Sequence, residues 1–175
     1  MSAAPHSVIA VGVVVERVKA ASPWIDSLWR PTAVLAGQPD TAPWTRLADD
    51  GERATFYAGP ATVALYRSET SNYRDNLATG TPLLWVVLRE TGAEPPYQVY
   101  LVTADPAEGE GMTAAGNDIV ESVPMPEALR DQVAAFVDEH HVEQTFVKRE
   151  RDRANAETLG RRPPASPAHG RQDDS

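Results

Sequence analysis

An unbroken apolar run, Leu83 to Leu88, sits inside the stretch PLLWVVLRE from Pro82 to Glu90. A strand with one wet face alternates apolar and polar residues, whereas a strand covered on both faces runs apolar throughout. The run is too short for a globular helix and rich in β-branched and aromatic side chains, so it predicts a core strand covered on both sides. The opposite pattern lies at 126–141. There Leu129, Val133, Phe136, Val137 and His140 recur at helical spacing, with Arg130, Asp131, Asp138 and Glu139 off the stripe. Trp85, Val87, Leu101, Val133 and Phe136 are expected to be buried together.

The rest of the pattern is mostly of strand type. Val8 to Val18 reads as a first strand in which Gly12 marks a bulge or a close backbone approach. Ser22-Pro23 reads as a loop or short helical turn, with Ser22 as cap and Pro23 at the first helical position, ending at Pro31. Within it Trp24 and Trp29 are five residues apart and meet different surroundings. Thr32 to Ala36 and Trp44 to Leu47 follow as strands, and Asp49-Asp50-Gly51 is a turn. Arg53 to Ala58 and Ala61 to Arg67 flank Gly59-Pro60 and read as a hairpin near a sheet edge. Glu69 to Ala78 is a short helix capped by Ser68 or Thr70, with Tyr73 and Leu77 on one face and Gly80 at its end. Tyr97 to Thr103 pairs antiparallel with the apolar run. Asp105-Pro106-Ala107-Glu108 carries a cap, a first-turn proline and a capping-box carboxylate, and Asp118 to Val123 is a last strand. The fold class is therefore α+β: a mostly antiparallel sheet of about six to seven strands, packed by a C-terminal helix, with one or two further short helices. One domain spans 8–149. After it the periodicity stops, and 150–175, with RRPPASPAHG at Arg161 to Gly170, reads as a disordered tail.

Composition narrows the chemistry. The 175-residue chain has no cysteine, which excludes disulfides, thiolate zinc and iron–sulfur ligation and fits a reducing compartment. The net charge of −9 divides unevenly. Up to Val147 nine Lys+Arg face twenty Asp+Glu, a balance of −11; beyond it seven face five, a balance of +2. So acidic a body repels a phosphate backbone, which argues against nucleic acid as a partner. No run approaches the ~18 apolar residues of a membrane helix. Val8 to Val15 has no basic residues in front and Glu16, Arg17 and Lys19 behind, so it reads as a strand rather than a secretory leader. The expected setting is cytoplasmic, away from membranes.

Catalytic signatures do not appear. The sequence holds no Gly-x-Ser-x-Gly elbow, phosphate-binding glycine loop or His-Glu-x-x-His. Gly109-Glu110-Gly111 sets a carboxylate where a phosphate would sit. His140 and His141 are adjacent on a helix, about 100° apart, so they are expected to serve the helix end rather than one metal ion. No cofactor and no metal is expected. The residues that suit a protein partner are Trp24, Trp29 with Arg30, Tyr73 with Arg74, and the segment Phe146 to Arg149 with Phe146, Lys148 and Arg149, because tryptophan, tyrosine and arginine supply most interface hot spots. A charge reversal at Arg30 is expected to leave the fold intact within about 0.5 kcal/mol, as at an ordinary surface position.

Several short motifs occur together: Pro23-Trp24, Trp29-Arg30-Pro31, Ala33-Val34-Leu35, Tyr57-Ala58-Gly59, Glu69-Thr70 with Tyr73 and Asn76-Leu77, Asp118-Ile119-Val120-Glu121, Val123-Pro124-Met125-Pro126, and His140-His141-Val142-Glu143 with Phe146-Val147-Lys148-Arg149. In combination, over about residues 8 to 151, they resemble a proteobacterial family of unknown function encoded among genes for formate dehydrogenase and other molybdoenzymes. The resemblance implies a setting, the maturation or operation of a molybdenum-dependent formate dehydrogenase, and no catalytic or metal residue. It gives as first expectation a non-enzymatic accessory protein that binds a formate dehydrogenase subunit or a maturation factor. The second is a small-molecule or pterin-cofactor binder of the same system, which the shortage of basic residues in the body disfavours.

Overall fold

The structure, a computed structural model, describes residues 4–114 and 116–141. Its strands are β1 (Ser7–Ser22), β2 (Ile25–Ala36), β3 (Thr45–Asp49), β4 (Arg53–Leu65), β5 (Leu83–Glu90), β6 (Tyr97–Thr103) and β7 (Ile119–Pro124). Its helices are α1 (Thr70–Ala78), preceded by a 3-10 turn at Arg67–Glu69, α2 (Pro106–Thr113) and α3, over 127–141. The strands form one sheet in the order β2-β1-β4-β6-β5-β7, with β3 also on β4. β2 and β7, at the two ends of that order, approach each other, so the sheet curls into a nearly closed barrel.

The sheet is mostly antiparallel, as expected, but one of its pairings makes it mixed. β5 and β6 do pair antiparallel, from Trp85 with Thr103 to Glu90 with Tyr97. β6, however, lies parallel to β4, joined through Val63 and Val102. The chain leaves β4 through α1, runs out along β5 and returns along β6 into the gap beside β4, which no local sequence signal announces.

Two breaks read from the sequence take other forms: one is continuous strand and the other a tight hairpin turn. Arg53 to Leu65 is one strand, because both arms beside Gly59-Pro60 pair with β1 and not with each other. Gly59 takes φ +136, and the register slips by one residue between Val13 and Val14, so the pair Gly59-Pro60 marks a bulge instead of a turn. Likewise no helical turn follows Ser22. Pro23 and Trp24 form the two-residue turn of the β1–β2 hairpin, and the Ser22 hydroxyl accepts the Trp24 N–H at 3.2 Å. β2 then runs through Trp29 to Pro31, with a second bulge at Thr32. Gly12 is the close approach expected of it, since a Cβ there would lie 2.9 Å from Tyr57 Cε2.

The core joins the inward faces of the strands to α3. Val11, Val13 and Val15 of β1, Leu84, Val86 and Leu88 of β5, Val102 and Val123 form one buried cluster with Leu129, Val133, Phe136 and Val137. The apolar stripe of 129–140 is buried, and Arg130, Asp131, Asp138 and Glu139 are exposed. β5 is covered on both faces, but its residues divide by parity. Val87 and Trp85 point away from Val86, and Trp85 is only half-buried, under α2, where a Cβ on Gly109 would lie 2.2 Å from its Cγ. Trp85, Val87 and Leu101 therefore do not share the cluster of Val133 and Phe136.

Asn76 ties the short elements down. It is buried, its Nδ2 donates to Leu83 O at 2.8 Å and Ala104 O at 3.0 Å, and its Oδ1 accepts from Leu83 N at 3.0 Å. Asn76→Ala is expected to cost about 2–3 kcal/mol by leaving these backbone groups unpaired. Urea denaturation at matched slope measures it. α1 itself begins without the side-chain cap expected from Ser68 or Thr70, whereas Asp105 caps α2 through Ala107 N at 2.9 Å and Glu108 N at 3.4 Å.

Candidate functional site

The most distinctive surface is the β1–β2 hairpin. β1 and β2 pair out to Ser22 and Ile25, and Trp24 at the turn is 90% exposed. Ile25 and Leu28 beside it are about half exposed. Along β1 the inward parity of Val11, Val13 and Val15 continues to Arg17, so an arginine stands where the core opens to water. Its guanidinium lies 5.6 Å from the Trp29 ring and 5.3 Å from that of Phe56. Trp29, Trp44, Phe56 and Tyr97 form one aromatic cluster with centroids about 6 Å apart, and Arg46 stacks on Phe56 from β3. Trp44 reaches it from a left-handed backbone, φ 65. Beyond the cluster a cleft of about 380 Å³ is lined by Arg17, Lys19 and Arg53 and by Asp26, Asp49 and Glu52.

On the outer face, Glu16 is buried between two arginines. Its Oε2 accepts from Arg30 Nε at 2.9 Å and its Oε1 pairs with Arg53 Nη1 at 2.8 Å. The carboxylate thus clasps β2 and β4 onto β1. Arg89 makes a comparable clasp elsewhere: it lies 3.4 Å over the Tyr100 ring and grips both oxygens of Asp118. These bonds hold the Asp118 carboxyl below its usual range.

The residues singled out from the sequence do not form one surface. Trp29 and Arg30 are neighbours on a strand and so face opposite sides of the sheet, Trp29 in the aromatic cluster and Arg30 on Glu16. Tyr73 is a core residue, 1% exposed, whose hydroxyl accepts from Tyr66 N at 3.0 Å; burial pushes it up to about 12. A surface role for Tyr73 is withdrawn, because its ring packs on Phe136 of α3. Arg74 is exposed and its Nη1 lies 3.0 Å from His141 Nε2. A guanidinium only donates, so Nε2 accepts and the ring N–H is left on Nδ1, 3.4 Å from Thr70 Oγ1. His140 turns the other way, its ring 4.5 Å from those of His6 and Phe136, and the adjacent imidazoles diverge as their spacing requires. Among the described residues no three of His, Asp and Glu come together as metal ligands do. Phe146, Lys148 and Arg149 lie outside the described residues, as does the predicted tail. Arg17, Arg46, Phe56 and Tyr97 were missed by the sequence reading. Only the period-2 extension of Val11-Val13-Val15 to Arg17 could have pointed to them.

These features define a small α+β domain on a nearly closed mixed sheet, with a projecting hairpin and an arginine-capped aromatic mouth as its exposed specialisations. The chain belongs to the family described as proteins of unknown function, DUF3305, which matches residues 10–150. No curated protein and no solved structure matches it. No helix among the described residues is long and apolar enough to cross a membrane.

Proposed function

We propose that this chain is a non-enzymatic accessory protein of the cytoplasm that works by protein–protein binding, its partner being a subunit or maturation factor of a molybdenum-dependent formate dehydrogenase. The observation that carries the binding role is Trp24, an indole 90% exposed on a two-residue turn, with Ile25 beside it. A large apolar ring held in water by a short, hydrogen-bonded turn loses little freedom on docking, and tryptophan is the residue most enriched at interface hot spots. The mixed charges of the adjacent cleft suit a protein surface. A phosphate-bearing pterin would meet Asp26, Asp49 and Glu52 there, so the small-molecule reading stands second. The formate dehydrogenase setting is supported by the motif resemblance alone.

The test is co-purification from cells that produce the formate dehydrogenase subunits and their maturation factors, with the wild-type chain and with Trp24→Ala. Trp24 buries almost nothing, so the variant is expected to keep its stability within about 0.5 kcal/mol. It should retain at least about tenfold less partner, as truncation of a hot-spot tryptophan does. A wild-type chain that captures none of these proteins, or a folded Trp24→Ala chain that captures them equally well, overturns the proposal.

A further inference from the structure

Arg17 stands half-buried at the barrel mouth, and its guanidinium meets two π faces, those of Trp29 and Phe56. Among the described residues it makes no ion pair and no side-chain hydrogen bond, so its N–H donors are left to the cleft that it lines. Arg46, which shares the Phe56 ring, is by contrast held by Asp49 at 3.1 Å. Lys19 lies two residues further along β1, hence on the same face as Arg17, with the two Cα atoms roughly 7 Å apart. It lines the same cleft, is exposed and makes no ion pair among the described residues. The cleft has acids of its own, but none answers this pair. Asp49 is taken by Arg46 and by the Gly51 N–H at 2.9 Å. Asp26 and Glu52 form an ion pair with neither cation.

Two unpaired cations side by side repel each other, and an anion seated between them relieves that repulsion. We propose that Arg17 and Lys19 form a seat for one carboxylate, the Asp or Glu side chain of a protein segment bound in the cleft. This names the chemistry of the partner's contact and rests on the protein-binding reading above. The planar fork of a guanidinium matches a carboxylate bidentately, and packing against Trp29 and Phe56 holds that fork at the mouth. Phosphate suits the cleft less, because a dianion is repelled by Asp26, Asp49 and Glu52 about twice as strongly as a monoanion. A free small carboxylate lacks the rest of the fit. Ile25, about half exposed, lines the same cleft, and an apolar residue beside the acid on a bound segment covers it.

Nuclear magnetic resonance of the full, isotope-labelled chain tests it, read at the Arg17 Nε–H and the Trp29 indole N–H. The probes are a terminally blocked peptide Ala-Leu-Glu-Leu-Ala, its glutamine counterpart, acetate and inorganic phosphate. The glutamate peptide is expected to shift both signals saturably, and the glutamine peptide to leave them in place. The glutamate peptide should bind about tenfold more tightly than acetate, since its leucines cover Ile25, and more tightly than phosphate. Arg17→Gln, read at the indole, should abolish peptide binding. Lys19→Gln, at an exposed position, should weaken it about threefold, and it keeps the test decisive if Arg17→Gln fails to fold by circular dichroism. No shift with the glutamate peptide, an equal shift with the glutamine peptide, acetate or phosphate bound as tightly as the peptide, or a Lys19→Gln chain that binds like wild type overturns the proposal. Neither formate dehydrogenase nor Trp24 enters the measurement, so its failure is distinguishable from a failure of the co-purification above.

Discussion

Phe136→Ala is expected to lower the unfolding free energy by about 3–5 kcal/mol, the largest effect of any single substitution considered for this chain. Phe136 stands on the inward stripe of α3, 6% exposed, in the cluster that contains Val86, Val102 and Val133. Its ring packs on Tyr73 of α1 at 6.2 Å between centroids, on His140 at 4.5 Å and on His6, just before β1, at 5.8 Å. Truncation therefore removes the apolar burial and opens a cavity among elements from both ends of the domain. Those neighbours are rings, and one of them is held by its own bond. The Tyr73 hydroxyl is fixed to the Tyr66 N–H, so the site collapses poorly and the cost belongs near the upper end of the range. Denaturant unfolding of the purified variant measures it. A loss below about 1 kcal/mol would mean that α3 contributes little to the core.

The elements that periodicity specifies were legible in advance. The stripe from Leu129 to His140 repeats at 3.6 residues, and a helix is the only element that gathers it on one face. The covering of β5 on both faces was legible too, but not which of its residues share a face, because an all-apolar run carries no parity. That is why Trp85 was grouped with Phe136, although α2 covers it from the far side of the sheet. Gly59-Pro60 and Ser22-Pro23 misled for a different reason. Glycine and proline mark any place where the ladder is interrupted, and a bulge, a hairpin turn and a helix start use the same residues. What decides among them is the partner strand, here β1 in both cases. The parallel seam between β4 and β6 likewise depends on a non-local pairing with no local signature.

The candidate site was less legible than the fold. Trp24 could be chosen by residue type, and the structure exposes it. Tyr73 was chosen on the same ground and is buried, because α1 turns that face to the core. Residue type says what a side chain can do at an interface, not which way its element faces. The arginine-capped mouth was readable only by carrying the β1 alternation two residues past its last inward valine, Val15. A cation on an inward position looks like the end of a strand until the aromatic rings that receive it are known.

Glu16 is the site of the second large effect, and it reverses the expectation for Arg30. The carboxylate is 5% exposed and its two oxygens are divided between Arg30 and Arg53, whose own side chains are more than half exposed. Removing one arginine leaves the other to compensate, and the lost pair is partly screened, so Arg30→Ala or Arg53→Ala alone should cost about 1 kcal/mol. Removing both strands a buried charge without a partner. The double variant is expected to lose about 3 kcal/mol, more than the two single losses together, because the uncompensated burial appears only when the last cation goes. Arg30→Glu is then no neutral surface reversal. It sets a second carboxylate against a buried one and should destabilise at least as much as Arg30→Ala does. Adding Glu16→Gln to the double variant removes the buried charge at nearly constant volume and should recover part of the loss. A double-mutant cycle by urea denaturation decides the matter. Strict additivity of the two arginine losses, or no recovery with Glu16→Gln, would show that Glu16 is hydrated enough to stand alone and that the clasp across β2, β1 and β4 is held by the backbone ladder.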